Sequence, residues 1–514
     1  MSLHKVLLRA LVVTSLGFLA SFPVRAQFIQ EGEKLTGAGA VGNANQGQSV
    51  ALSADGNTAI VGGPRDDSLA GASWIFIRTT GVWSRQGSKL VGTGAVGNAG
   101  QGQSVALSAD GNTAIVGGPG DDSLAGASWI FTRTNSVWSQ QGGRLVGTGA
   151  VGNAGQGQSV ALSADGNTAI VGGPGDDSLA GASWIFTRTN NVWSQQGIKL
   201  VGAGAVGDAQ QGFSVALSAD GNTAIVGGRG DGSLIGAVWV FIRTNGVWTQ
   251  QGSKLVGTGI WFSGNTNQGR SVALSADGNT AIVGGPGDGL GINGAGAVWV
   301  FTRTNGTWSQ QGDKLVGTGR VGPYVFQGTS VDVSGDGNIA LVGGPADQSG
   351  AGASWLFTRT NGVWSQQGSK LVGTGVALTA YQGQSVALSA DGNTAIVGGY
   401  GDNSGAGAAW VFVRNAAGVG EQTVQRPQQF ALQQNYPNPF NPSTTIRYGL
   451  PNRSHVQLTV FNALGQPVAQ LVNGEEDAGF HEVRFDGRNL SSGVYYYRLR
   501  AGDLLESKRL LLLR

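Results

Sequence analysis

The chain has 514 residues, of which 91 are Gly and only 12 % are charged, and its formal net charge is +2. It has 0 Cys and 3 His, which excludes a disulfide framework, a thiol nucleophile and a Cys metal cage. So few basic residues exclude the stripe needed to neutralise nucleic-acid phosphates, and 14 Trp with 18 Phe exclude a disordered chain.

Residues 1–26 read as an export signal. His4, Lys5 and Arg9 make a basic start, Ala10 to Phe22 is an apolar run, and Val24-Arg25-Ala26 fits a small-residue cleavage site that leaves Gln27 first. The run is too short to span a bilayer. No later segment is apolar for long enough, so the mature chain is expected to carry no transmembrane segment.

One unit then recurs seven times. Ser-Ala-Asp-Gly-Asn-Thr-Ala-Ile-Val-Gly-Gly begins at Ser53, Ser108, Ser163, Ser218, Ser275 and Ser389, and a variant begins at Ser334. Val91–Leu145 and Val146–Leu200 differ only at Ser136/Asn191, Gly143/Ile198 and Arg144/Lys199. Each unit reads as four short strands, exemplified by Ser49–Ser53, Thr58–Gly62, Ala72–Phe76 and Trp83–Val91. A tight Asp-Gly-Asn turn with positive φ is predicted between the first two. No sustained 3.6-residue period occurs. Adjacent apolar residues such as Trp74-Ile75-Phe76 suit a sheet covered on both faces. Seven four-stranded units predict an all-β chain whose residues 27–415 form a seven-bladed β-propeller.

The ends of the array support closure. The last unit stops after its third strand, at Trp410-Val411-Phe412, and the missing fourth lies at the other end. Phe28-Ile-Gln-Glu-Gly-Glu-Lys-Leu35 aligns with Trp364-Ser-Gln-Gln-Gly-Ser-Lys-Leu371. The N-terminal strand is therefore expected to complete the seventh blade and remove an open edge.

The repeat resembles the FG-GAP family of integrin α-like propellers over Phe28 to Asn415. The strand Gly-Ala-Val-Trp-Val-Phe stands at Gly236 to Phe241 and at Gly296 to Phe301, while the family's Phe-Gly is here mostly Gln-Gly (Gln46-Gly47) and its Gly-Ala-Pro is Gly-Gly-Pro (Gly62-Gly63-Pro64). The family often carries an Asp-rich calcium loop between the first two strands. Here that loop is Ala-Asp-Gly-Asn-Thr, and one carboxylate cannot supply six or more oxygens, so that calcium site does not carry over.

Residues 416–429 read as a polar linker. From 430 to 514 the charged share rises, and the segment resembles the type A C-terminal sorting domain of the type IX secretion system. The resemblance rests on Asn435, Tyr436, Pro437, Asn438, Pro439, Phe440, Asn441 and Pro442, then Val460-Phe-Asn-Ala-Leu-Gly465 and Leu490-Ser-Ser-Gly-Val-Tyr-Tyr-Tyr-Arg498. Each residue before a Pro is pushed out of the α region, so the first run is extended. About seven short strands with Gly and Asn turns predict a small Ig-like β-sandwich. The resemblance implies handling by the type IX machinery through residues 430–514. It also implies an extracellular or outer-membrane-surface location.

All three His lie outside the repeats (His4, His455, His481), so Ser-His-Asp, Cys-His and His-zinc chemistry are excluded there. Asp66-Asp67, Asp121-Asp122 and Asp176-Asp177, with Asp231, Asp288, Asp347 and Asp402, recur in the loop between second and third strands. A catalytic acid pair is needed once, whereas an Asp capping loop amides suits every copy. A ring of these carboxylates holding a cation such as calcium is the alternative. No catalytic residue, metal ligand or cofactor is assigned. The repeated Trp74, Trp129, Trp184, Trp239, Trp299, Trp355 and Trp410 read as core between blades. Arg229-Gly230-Asp231 spells the tripeptide integrins read, and a single Pro-to-Arg change explains it.

Length variation falls on one face and clusters around the fifth blade. Gly257 to Gly269 introduces Trp261 and Phe262, Pro286 to Gly296 introduces Leu290 and Ile292, and Gly317 to Gly328 introduces Tyr324 and Phe326. These six side chains form either a recognition patch for an extracellular glycan or protein or a plug over the ring mouth. The expected function is secreted or surface-bound, non-catalytic binding or adhesion. The alternatives are a carboxylate-dependent glycan hydrolase or lyase, and a structural surface-layer component.

Overall fold

The computed structural model describes residues 28–260, 265–289, 294–377, 379–414, 430–435, 437–476, 479–502 and 504–513. The signal at 1–26, the linker at 416–429, and Tyr436, Trp261, Phe262, Leu290 and Ile292 lie outside the described residues. The chain is all-β and divides into two compact units at Ala416.

The first unit contains seven four-stranded antiparallel sheets, numbered here in chain order. In the first sheet the strands are Ser49–Leu52, Thr58–Gly63, Ala72–Thr79 and Val82–Arg85, and they neighbour one another in that order. Five further sheets repeat the plan. In the seventh, Ser385–Leu388, Thr394–Gly399 and Ala408–Arg414 are joined by Phe28–Gln30 as outer strand, with Ile29 opposite Val413. The N-terminal segment thus occupies the place its alignment predicts.

Burial explains the doubly apolar strands. Ile60 and Ile75 of the first sheet join Val116, Trp129 and Phe131 of the second in one core layer, while Val61 and Trp74 face the other way onto Ile396 and Val411 of the seventh. An equivalent layer separates every consecutive pair of sheets. All seven repeated Trp are fully buried. Each indole lies where the Cβ of a glycine such as Gly37 or Gly92 would stand, so that position accepts no side chain. The indole N–H donates to a loop carbonyl, from Trp74 to Ala38 at 3.0 Å.

At one end the first hairpins are laced together. Ala54 N–H donates to Ala109 O, Ala109 to Ala164, Ala164 to Ala219, Ala219 to Ala276, Ala276 to Gly335, Gly335 to Ala390, and Ala390 back to Ala54, all at 2.8–2.9 Å. The hydrogen bonds return to their starting residue, so the seven sheets follow one another in a cycle.

The turn chemistry differs from the sequence reading. The Asp-Gly-Asn turn is not a two-residue hairpin. Ser53 N–H donates to Thr58 O across four residues, because Asp55 accepts both the Ser53 hydroxyl (2.5 Å) and the Asn57 N–H (2.9 Å). Only Gly56 there has positive φ (66°). The two-residue turn with both φ positive is the next one, Thr80-Gly81 in the first sheet and Asn245-Gly246 in the fourth, where Asn-Gly is the favoured sequence.

Among its described residues the second unit has seven strands in two sheets. Ala431–Leu432, Ser443–Leu450 and Gly479–Asp486 form one, and Pro467–Glu476, Ser454–Phe461, Gly493–Ala501 and Leu504–Leu512 the other. A shared core contains Ile446, Tyr448, Val456, Leu458, Tyr497, Leu499 and Leu512. The predicted alternation at Val456, Leu458 and Val460 is observed as three buried residues.

Candidate functional site

The recurrent aspartates are buried and engaged. Asp66 accepts the Val41 N–H at 2.7 Å with one oxygen and pairs with Lys89 through the other. Asp121–Arg144, Asp176–Lys199, Asp231–Lys254, Asp288–Lys314, Asp347–Lys370 and Asp402–Lys34 repeat the pair around the cycle. The carboxylate therefore ties the preceding inter-sheet loop to the outer strand, rather than capping its own loop as predicted. Among the described residues, six of these loops wind through a left-handed turn. In the first, Asp67 (φ 47°, ψ 62°) and Ser68 (φ 57°, ψ 43°) adopt it, a conformation costing about 1–2 kcal/mol per L-residue. Among the described residues, no group of three or more His, Cys, Asp or Glu is placed to hold a metal ion. In Arg229-Gly230-Asp231 the Asp is buried on Lys254, so the tripeptide is not displayed.

The other end of the cycle, opposite the laced hairpins, carries the side chains that depart from the repeat. The inner strand begins there with a residue preceding Gln-Gly and another following it, and the second strand ends there after Gly-Gly. In sheets two and three these positions hold Gly100, Gln103 and Pro119, and Gly155, Gln158 and Pro174. In the fourth sheet they hold Gln210, Phe213 and Arg229, in the fifth Asn267, Arg270 and Pro286, in the sixth Phe326, Thr329 and Pro345, and in the seventh Tyr381, Gln384 and Tyr400.

These departures meet. The Arg229 guanidinium lies 3.9 Å from the centroid of the Phe213 ring and donates to Gln210 Oε1 at 2.8 Å, and Arg270 lies 5.3 Å from the same ring. Tyr381 and Tyr400 stack at 5.1 Å with ring planes 8° apart. A cavity of about 380 Å³ is lined by Asn267, Arg270, Phe326, Thr329, Tyr381 and Tyr400, with Pro286 and Pro345 as apolar wall. Phe326 (φ 59°) and Tyr381 (φ 55°) occupy the left-handed region at a position where sheets two and three use Gly. The position is left-handed in all seven sheets, with Asn45, Gln210 and Asn267 there in the first, fourth and fifth, so the two aromatics are set on a backbone conformation that the repeat imposes and that bulky residues rarely adopt.

Of the six loop residues singled out from length variation, Phe326 lines this cavity, and Tyr324 is exposed beside it in sequence. Val325 between them is fully buried. Phe213, Arg229, Arg270, Tyr381 and Tyr400 were not predicted as site residues. Their signal is substitution at constant repeat length, which a search for insertions passes over.

In the second unit the predicted sorting motif is a clasp. Asn435 is buried and its N–H donates to the Tyr497 hydroxyl at 2.8 Å, while that hydroxyl donates to Gln433 O at 2.6 Å. Burial pushes the Tyr497 hydroxyl up to about 12. Asn438 Oδ1 accepts the Leu511 N–H at 2.8 Å, and Phe440 is buried and bonded through its backbone to Leu511 and Leu513. The start of the unit is thereby fastened to its last strand.

Residues 434–512 match the family described as the secretion system C-terminal sorting domain, and no FG-GAP family match accompanies it. No curated protein matches the chain in sequence. Among solved structures, the chain is similar to the hydrazine synthase of Kuenenia stuttgartiensis, at 14 % identity and TM-score 0.45 over 75 % of this chain and 100 % of that one. It is also similar to the periplasmic gluconolactonase PpgL of Pseudomonas aeruginosa, at 13 % identity and TM-score 0.43 over 80 % and 94 %. A third is PorZ, a surface component of the type IX secretion system of Porphyromonas gingivalis, at 13 % and 0.41 over 91 % and 60 %. No helix among the described residues is long and apolar enough to cross a membrane. The chain carries a type IX sorting tail at its C-terminus, which implies export to the cell surface or the extracellular space.

Proposed function

We propose that the first unit is a closed, seven-bladed, FG-GAP-like β-propeller and that the second is an Ig-like sorting domain delivering it through type IX secretion. The propeller acts as a non-catalytic binding or adhesion module at the cell surface or in the medium. Its ligand sits at the end of the ring that carries the non-repeated side chains. One observation carries this reading: departures from the repeat in sheets five, six and seven line one cavity, and those of the fourth adjoin it where Arg270 lies over Phe213, while near-identical sheets two and three keep Gly, Gln and Pro at the same positions. Aromatic and Arg side chains gathered in one concavity suit recognition. The cavity lining includes no Asp or Glu among the described residues, which weighs against a carboxylate-dependent hydrolase or lyase.

The test is binding of the mature chain from Gln27 to an array of glycans and matrix proteins, beside a Tyr381→Gly/Tyr400→Pro variant that restores the residues of sheets two and three. Binding by the parent and loss in a variant that melts like it supports the reading. Self-association with no soluble ligand returns the chain to a surface-layer role.

A further inference from the structure

The cavity's charge narrows the ligand. Arg270 is half-buried, and its guanidinium forms no hydrogen bond or ion pair with any described residue and has only the face of Phe213 beneath it. A guanidinium offers five N–H donors, and buried polar groups are as a rule satisfied. Arg229 meets only the same ring and the neutral Gln210 amide. Burial lowers the proton affinity of both guanidinium groups, and for Arg270 the neighbouring charge of Arg229 lowers it further. Neither has an acidic neighbour that raises it. Arg65 is a third positive charge, close enough to Tyr400 to act on its hydroxyl. The repeat's own acids do not compensate, because Asp231 and Asp402 are bonded to Lys254 and Lys34.

The remaining lining suits a sugar. Tyr381 and Tyr400 present aromatic surface, and neither hydroxyl is hydrogen-bonded among the described residues. Gln384 supplies a neutral amide, Thr329 an acceptor oxygen whose proton goes to Phe326 O, and Asn267 an amide that also donates to Asn265 O, groups of the kind that fix hydroxyls, and Pro286 and Pro345 add flat apolar wall. About 380 Å³ lies at the small end of ligand-binding cavities. A guanidinium pairs with planar carboxylates through two parallel bonds.

From this, the geometry points to an acidic saccharide as the ligand: its carboxylate or sulfate meets Arg270, with Arg229 reinforcing the field, and a sugar ring lies against the Tyr381–Tyr400 pair. The inference rests on the proposed binding function and specifies its ligand class.

The test uses the mature chain with three probes of equal length: a galacturonate oligomer, a sulfated galactose oligomer and a neutral galactose oligomer. The variants are Arg270→Gln and Arg229→Pro, which restore residues that other sheets hold at those positions and so keep the fold available. Thermal melts accompany each. We expect the galacturonate or the sulfated oligomer to bind and the neutral one to fail. Affinity should fall roughly tenfold or more in Arg270→Gln and decline with added salt, and the two acidic probes separate carboxylate from sulfate. Neutral oligomers binding as well as acidic ones, or Arg270→Gln binding unchanged, overturns the acidic-ligand inference while the binding function stands. Acidic oligomers failing while another member of the wider array binds through Tyr381 and Tyr400 has the same result. No ligand for the mature chain in any arm removes both.

Discussion

Asp332 is the residue whose perturbation is most readily quantified. Six of the seven inner strands place Ala at this position (Ala51, Ala106, Ala161, Ala216, Ala273, Ala387), and the sixth sheet places an acid. Burial pushes its carboxyl from 3.8 up to about 6, against the pull of N–H bonds from Leu388 at 2.6 Å and Val333 at 2.8 Å. Because the folded value lies above the unfolded one, the sign is fixed. Well below pH 3.8 both states hold the proton and the group is neutral to stability. As pH rises from there through 6 the unfolded chain ionises first, so the fold loses stability, and well above pH 6 the loss is constant. A rise of this size corresponds to about 3 kcal/mol. Asp332→Asn removes this dependence. It also replaces one of the two acceptor oxygens with an amide nitrogen, costing about 1 kcal/mol. The variant is therefore expected to be about 1 kcal/mol less stable than the parent at pH 3 and about 2 kcal/mol more stable at pH 7.5. With about 2.1 cal/mol/K of unfolding entropy per residue over roughly 390 residues, 1 kcal/mol is about 1 °C. The difference in Tm should then change sign and span about 3–4 °C between those pH values, read by calorimetry of the mature chain and variant. A difference that stays constant with pH, or that favours the parent at pH 7.5, would show that Asp332 does not carry a buried charge at neutral pH.

Three further outcomes follow from the same geometry. Lys370→Met strands the Asp347 carboxylate, which is 1 % exposed, and should cost about 3 kcal/mol; Lys370→Met/Asp347→Asn should recover much of it, as a double-mutant cycle in urea would show. Removing Phe28 to Leu35 uncovers the Ala408–Arg414 edge and should turn a cooperative melt into aggregation visible by light scattering. In the sorting unit, Phe440→Ala should cost about 3–5 kcal/mol and release the last strand, so export measured in the medium should fall while the first unit's melt is unchanged.

Much of this was legible in the sequence because the repeat states it seven times. Ser-Val-Ala-Leu, Thr-Ala-Ile-Val-Gly and Ala-Ser-Trp-Ile-Phe marked the strands, and the permuted ends marked the role of Phe28–Gln30. The positive-φ two-residue turn was assigned one hairpin too early, because Asp-Gly looks like such a turn until the Asp55 side chain is seen closing a longer one. The partners of the recurrent Asp residues lie 23 to 26 positions away within each copy, and for Asp402 at Lys34, a distance that no local pattern reveals. Phe326 was found from its loop. Phe213, Arg270 and Tyr400 were not, because each lies far from the others in sequence and becomes a neighbour only when the sheets form a cycle.

That cycle is what the candidate site depends on, and the absence of native Cys gives it a direct test. Ile29 and Val413 face each other across the proposed closing strands, so Ile29→Cys/Val413→Cys in the mature chain should oxidise to an intramolecular disulfide. A closed ring should give a monomer with faster non-reducing gel mobility, a raised Tm, and neither effect in the single variants. Free thiols under oxidation, or disulfide-linked dimers in place of the monomer, would rule out closure by the N-terminal strand and with it the site at the end of the ring.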